Sequence, residues 1–424
     1  MEESNHSDVI IVGGGPAGTT AASLLHRLGW TVTLFEREKH PRFHIGESLL
    51  PKNLPILEEL GVLDEVRRIG VYKPGADFCQ PGEATEYQTF SFDRALSNTP
   101  PNAYQVRRSE FDEILFRNCR NSGINALEEH CVSRVELNDS GSHRVFVTGP
   151  DQSQSTWTCK YLIDASGRDT LLASQEKWKL RNRKHASAAL FTHFEGVRPR
   201  PGTDAESGSI GIYWFDGGWI WIIPLRDGVT SVGAVCKPEY LHERDSPQTE
   251  FLSETIRQCP GAWERLKNAK PLMPAQATGN YSYSSSQHTG KGFALIGDAY
   301  AFVDPVFSSG VYLAMSSGAQ IVSVADQWLQ GNQSAYERSA RKYRNRINRG
   351  ISTFSWFIYR FTTPEMVMLF REPKNTFKLE QAVISILAGD VYASAEIRLR
   401  LVIFKAIYAV SQMLNAMRRK PAPQ

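Results

Sequence analysis

Cysteine is scarce in this chain. There are six in 424 residues (Cys79, Cys119, Cys131, Cys159, Cys236 and Cys259), and no two form a C-x-x-C pair. A chain of this length buries enough core to fold without disulfides, so reduced thiols are expected and a zinc site is not. Long hydrophobic runs are also missing: no segment approaches the ~18–20 unbroken apolar residues that span a bilayer. Nor is there an excess of one charge. The 48 basic and 45 acidic residues leave a net charge of +3, without the basic footprint of a nucleic-acid binder. The apolar stretch near the start is broken by Gly13, Gly14, Gly15, Pro16 and Gly18 and preceded by acidic residues, so it does not read as a signal peptide. A cytoplasmic location is expected, and contact with nucleic acid or a membrane is not. No internal repeat is visible. With 41% hydrophobic and 22% charged residues, the composition is that of an ordinary globular protein, long enough for two or three domains.

The first forty residues form a phosphate-binding unit. Asp8–Val12 is a β-branched run suited to a strand buried on both faces. Gly13-x-Gly15-x-x-Gly18 follows, then a helical pattern through Ala21, Ala22, Leu25 and Leu28, then a strand Thr31–Phe35 ending in Glu36. Gly13 permits the tight turn, Gly15 lets backbone approach a pyrophosphate, and Gly18 lets helix meet strand. With Pro16 and Ala17 they present free helix amides to phosphate. Glu36 stands where a carboxylate accepts adenosine ribose hydroxyls, which favours FAD or NAD over NADP.

Three later segments favour FAD. Arg108 opens a helix whose apolar face is Phe111, Ile114 and Leu115, although Arg108 and Arg107 compete for the inward position. Tyr161–Gly167 is an apolar strand ending in small residues. Phe293–Ala299 runs a strand into Gly297-Asp298, placing a carboxylate where a ribityl hydroxyl would sit; a capped helix start is the alternative.

In order and spacing, Gly13–Gly18, Asp164–Gly167 and Gly297-Asp298 resemble the flavin monooxygenases grouped with para-hydroxybenzoate hydroxylase, over roughly residues 5 to 330. The resemblance implies an α/β fold with a discontinuous Rossmann-like FAD-binding domain (1–75, 101–178 and 280–330). It also implies an inserted sheet-based substrate domain (76–100 and 179–279) and no separate NAD(P) domain. Residues 331–424 read as a helical C-terminal region, in which Phe354, Trp356 and Tyr359 are candidates to line a channel, with core packing the favoured role for any single one.

Within that superfamily, Trp219-Ile220-Trp221-Ile222-Ile223-Pro224 is similar to the W-x-W-x-I-P motif of the flavin-dependent halogenases, and His44–Pro51 with Lys73 resembles the same family. On pattern alone a tryptophan-lined core strand is the alternative reading of the first segment, and Lys73 reads as a solvated surface group. The resemblance makes Lys73 the catalytic residue and places Trp219, Trp221, Pro224 and Phe307 along a tunnel and substrate pocket. It assigns Pro305 to the cofactor and Ser308, Ser309 and Gly310 to a halide, chloride or bromide. The implied chemistry begins with FADH2, supplied by a separate flavin reductase. Oxygen gives a flavin C4a-hydroperoxide, halide attack gives hypohalous acid, and Lys73 holds that acid or forms a haloamine.

Tryptophan halogenases carry a glutamate at the position of Phe307. The departure points to phenol or pyrrole substrates, free or tethered to an acyl-carrier protein. The basic run Arg341–Arg349 is either a solvated helix face or a dock for such a carrier. The alternative function is an NAD(P)H-using aromatic hydroxylase or reductase of the same fold.

Overall fold

The structure, a computed structural model, describes residues 5–419 apart from 80, 140, 183–186, 203–207, 280–281 and 393. Residues 420–424, the end of the expected helical region, lie outside the described residues. The fold is α/β, built on two large sheets. The first has the strand order Thr289–Gly290, Phe293–Leu295, Gln154–Asp164, His6–Val12, Val32–Phe35, Asn125–Leu127. Along this order all pairings are parallel except that between the first two strands, and the antiparallel strands His143–Thr148 and Cys131–Glu136 extend the sheet from Gln154–Asp164. The central strand is apolar on both faces because both are covered. Val9 and Ile11 enter one core cluster with Ala21, Ala22 and Leu25 of the helix Pro16–Arg27, while Ile10 and Val12 pack against Val145, Val147 and Leu172.

The second sheet runs Lys270–Pro271, Ala188–Glu195, Val229–Cys236, Gly218–Pro224, Ile210–Phe215, Gly75–Cys79, Tyr87–Ser91. Its pairings are antiparallel apart from the parallel contact between Ile210–Phe215 and Gly75–Cys79. Strand alternation gives it two faces. Leu190, Ile220, Ile222 and Val232 pack under the helix Gln248–Arg257, whereas Phe191, Trp219, Trp221 and Ile223 face the first sheet's side of the molecule. A small third sheet pairs Lys179–Arg181 with Tyr283–Ser285, so the two expected domains share strands at the 179 boundary.

The helices Gln333–Ile358, Pro364–Arg371, Leu379–Leu387 and Ala395–Arg419 complete the chain. Phe354, Phe357, Phe361, Phe370 and Leu387 join the cluster that contains Trp219 and Phe307, so this region closes over the inner face of the second sheet. Among the described residues no helix is long and apolar enough to cross a membrane. None of the six cysteines forms a disulfide, and burial pushes the Cys119 thiol up to about 11 and those of Cys79, Cys159, Cys236 and Cys259 up to about 12.

Candidate functional site

A cavity of about 450 Å³ opens along the C-terminal edge of the first sheet and is lined by Gly13, Gly15, Pro16, Ala17, Glu36, Arg108 and Asp298. The glycines are required for different reasons. Gly13 sits at φ +107°, and a Cβ there would come within 2.3 Å of the Ala165 carbonyl oxygen. A Cβ on Gly18 would lie 2.0 Å from the Gly13 carbonyl oxygen, so Gly18 joins helix to strand and does not face the cavity. At Gly15 a Cβ would meet only Arg42 Nη2, at 3.8 Å, leaving a cradle for a ligand. No side chain caps the helix that starts there, so its first amides are available to an anion.

Around this cradle, Glu36 Oε2 accepts from the Gly14 amide at 2.9 Å. Arg108 is buried and donates to both Asp112 oxygens at 2.8 and 2.9 Å, and Arg107 pairs outward with Glu110 and Asp227. Burial pushes Asp298 up to about 6, opposed by the charges of Arg168 and Arg108. Gly297 lies at φ +56° against Ala17 and Ala314, joining helices behind the cavity wall.

Farther along, Trp219, Trp221, Ile223, Ile210, Pro305, Ser308 and Gly310 line the same cavity. Trp219 and Trp221 share a strand face, and Trp221 Nε1 donates to Ser231 Oγ at 3.1 Å. Pro224 corrects the expectation. It falls on the opposite parity, opposite Thr230, and lines neither this cavity nor the smaller one beyond it.

The helix Ser309–Leu329 begins at this end. Ser308 precedes it at φ +55°, and among the described residues the buried Ser309 hydroxyl has no partner and a Cβ on Gly310 would meet nothing within 4 Å. Asp304 accepts from the Val306 amide and the Ser187 hydroxyl, and burial pushes it up to about 6.

Lys73 ends the strand Val71–Lys73, where alternation leaves Tyr72 exposed and Lys73 only 1% exposed. The next strand, Gly75–Cys79, needs glycine at its start, since a Cβ on Gly75 would lie 2.4 Å from the carbonyl oxygen of Phe90 on the neighbouring strand. Lys73 Nζ donates to Ser48 Oγ at 2.8 Å and the Leu49 carbonyl at 2.9 Å, and lies 5.4 Å from the centre of the Phe92 ring. No carboxylate among the described residues pairs with it, and burial alone lowers its pKa to about 7. It lines a second cavity, of about 10 Å³, with Phe78, Phe92, Phe307 and Leu387. That volume holds roughly one water. Ser308 and Ile210 line both cavities and therefore stand at their junction.

Residues 6–343 match the FAD binding domain family. A flavin-dependent halogenase of Penicillium aethiopicum, gsfI, is 32% identical over 376 residues, which is 82% of this chain and 69% of that protein. The myxobacterial chondrochloren halogenase CndH superposes with a TM-score of 0.77 at 31% identity, covering 94% of this chain and 96% of that one. This chain belongs to the flavin-dependent halogenases. It is an FAD-dependent enzyme, and a pyrrole-2-carbonyl peptidyl-carrier-protein chlorinase of Pseudomonas fluorescens is 29% identical across 92% of this chain and 91% of its own.

The halogenase contains site residues that its sequence did not advertise. Arg42, in an irregular loop, reaches Glu36 at 3.4 Å and Asp112 at 3.2 Å above the Gly15 cradle. His44 lines the cavity beside Arg108, and burial, reinforced by that guanidinium, lowers it to about 4. The suggested channel aromatics line neither cavity. Phe354 is core, Trp356 packs on Phe404 and Tyr408, and the Tyr359 hydroxyl meets Asn182 and Ser282.

Proposed function

We propose that this halogenase transfers an oxidised halogen to an electron-rich ring, a phenol or a pyrrole tethered to an acyl-carrier protein, with Lys73 as the catalytic residue. One observation carries the reading: a buried amine with no carboxylate partner among the described residues lines a small cavity that shares Ser308 and Ile210 with the large one. FAD, held by Gly13, Gly15, Pro16, Ala17, Glu36, Arg42, Arg108 and Asp298 and reduced by a separate reductase, supplies the oxygen activation that turns halide into hypohalous acid.

The remaining steps belong to the chain. Backbone amides at Ser308, Ser309 and Gly310 hold the halide at an uncapped helix start. Trp219 and Trp221 keep the ring substrate out of the flavin cavity while a water-sized oxidant passes. Lys73, about half neutral at pH 7, receives that oxidant by hydrogen bonding, or forms an N–halogen bond as the O–halogen bond breaks and water leaves. The ring carbon then takes the halogen and loses its proton. Phe307 offers no base for that proton, which suits rings activated by a hydroxyl or a pyrrole nitrogen. The exposed Arg341, Lys342, Arg346 and Arg349 on the helix Gln333–Ile358 suit an acidic carrier protein.

The halide site is tested at Gly310. Gly310→Val fills open space without striking protein atoms. It is expected to raise the halide KM by roughly tenfold, about 1.4 kcal/mol, with oxidised FAD bound as in the wild type. An unchanged halide KM would remove the site from this helix start.

A further inference from the structure

Glu47 and His193 lie 146 residues apart, and neither belongs to the site as described so far. Glu47 Oε1 accepts from His193 Nε2 at 2.8 Å, and the Glu47 side chain is 1% exposed. The other carboxylate oxygen, Oε2, is buried with no partner among the described residues. A buried acceptor without a donor is costly, and a carboxylate oxygen more so than a neutral one. Glu47 also lines the large cavity, so what fills that cavity is the natural source of the missing donor.

The position of the pair identifies which part of the occupant it meets. His193 lies two residues from Phe191, on the same face of the strand Ala188–Glu195, and the Phe191 ring lies 6.2 Å from that of Trp221. Phe43 packs edge-on to His193 at 5.8 Å and stacks on Phe191 at 6.3 Å. The pair therefore belongs to the tryptophan wall and not to the Gly15 cradle. Glu47 itself is fixed on both sides. Gly46 lies against Arg108, the Glu47 carbonyl accepts from the Val106 amide, and Ser48 accepts from Lys73. The Glu47 carboxylate thus has little freedom to turn away.

We propose that Glu47 accepts a hydrogen bond from a ring N–H of the bound flavin and that His193 is the positioning residue that holds the carboxylate for it. An isoalloxazine ring offers N–H donors along its polar edge, and a carboxylate is the stronger kind of acceptor. A fixed negative charge beside the ring also opposes the electron density that reduction adds, so the pair sets the flavin's reduction potential as well as its seat. The inference rests on FAD occupying this cavity, but not on the role of Lys73.

The test is Glu47→Gln in the full-length enzyme, read by titration with oxidised FAD and by the midpoint potential of the bound flavin. The expected result is roughly tenfold weaker binding of oxidised FAD and a potential shifted to more positive values. Glu47→Asp is expected to fall between Glu47→Gln and the wild type. His193→Asn, which leaves the carboxylate in place without its orienting partner, should shift both readings in the same direction by less, and serves if Glu47→Gln fails to fold. Affinity and potential within twofold and within error of the wild type in both variants would overturn the proposal. Failure of the wild type itself to bind FAD would instead overturn the assignment of the cavity.

Discussion

Lys73→Met abolishes halogenation and makes the protein more stable at neutral pH, while FAD remains bound. The amine is buried, and its polar contacts among the described residues are Ser48 Oγ and the Leu49 carbonyl. Burial lowers it from 10.5 to about 7. The unfolded chain therefore binds more protons at this site than the folded one between those two values, and stability rises with pH across that window. The penalty is complete below about pH 7 and gone above about pH 10.5. At ~1.4 kcal/mol per unit its upper bound is about 4–5 kcal/mol. Methionine fills similar volume but leaves two acceptors unpaired, which returns about 1–2 kcal/mol. The net gain is about 2–3 kcal/mol at pH 7, shrinking toward zero near pH 9.5. Chemical denaturation at the two pH values measures it. A variant that loses stability at pH 7, or that still halogenates, contradicts the description of Lys73 as a functional group held at the expense of stability.

Gly15→Val is the second large effect. A Cβ at position 15 meets no protein atom closer than the flexible end of Arg42, and the backbone there is extended at φ −78°, so the unliganded fold accepts valine. The space it fills is the cradle above the uncapped helix start, where a pyrophosphate must approach backbone amides. Binding of FAD is expected to weaken by roughly a hundredfold or more, about 2.7 kcal/mol, with an unchanged unfolding midpoint in the absence of FAD. Tight FAD binding by this variant would move the phosphate site elsewhere.

These two residues also mark what the sequence reveals and what it hides. Gly15 is legible because strand, turn, helix and acidic residue are contiguous, and local backbone geometry fixes their roles. The shared face of Trp219 and Trp221 follows from strand alternation, and the same parity turns Pro224 away, a rule that applies to the sequence as readily as to the structure. Lys73 is legible only through its resemblance to a family, because nothing local distinguishes a buried lysine. Arg42, the Glu47–His193 pair and the closure of the Lys73 cavity by Leu387 are set by contacts between distant segments. No spacing or periodicity connects a loop near residue 45 to a strand near residue 193 or a helix ending at residue 387.

The central claim is that an oxidised halogen reaches an aromatic ring by way of Lys73, and the most direct measurement is the product itself. The enzyme would be supplied with FADH2, oxygen and either chloride or bromide. The rings would be phenols, free tryptophan, and pyrrole acids both free and loaded on a carrier protein, with products read by mass spectrometry. Halogen isotope patterns are expected on phenol or tethered pyrrole, dependent on halide and absent with Lys73→Met. A hydroxylated ring formed equally well without halide would contradict it.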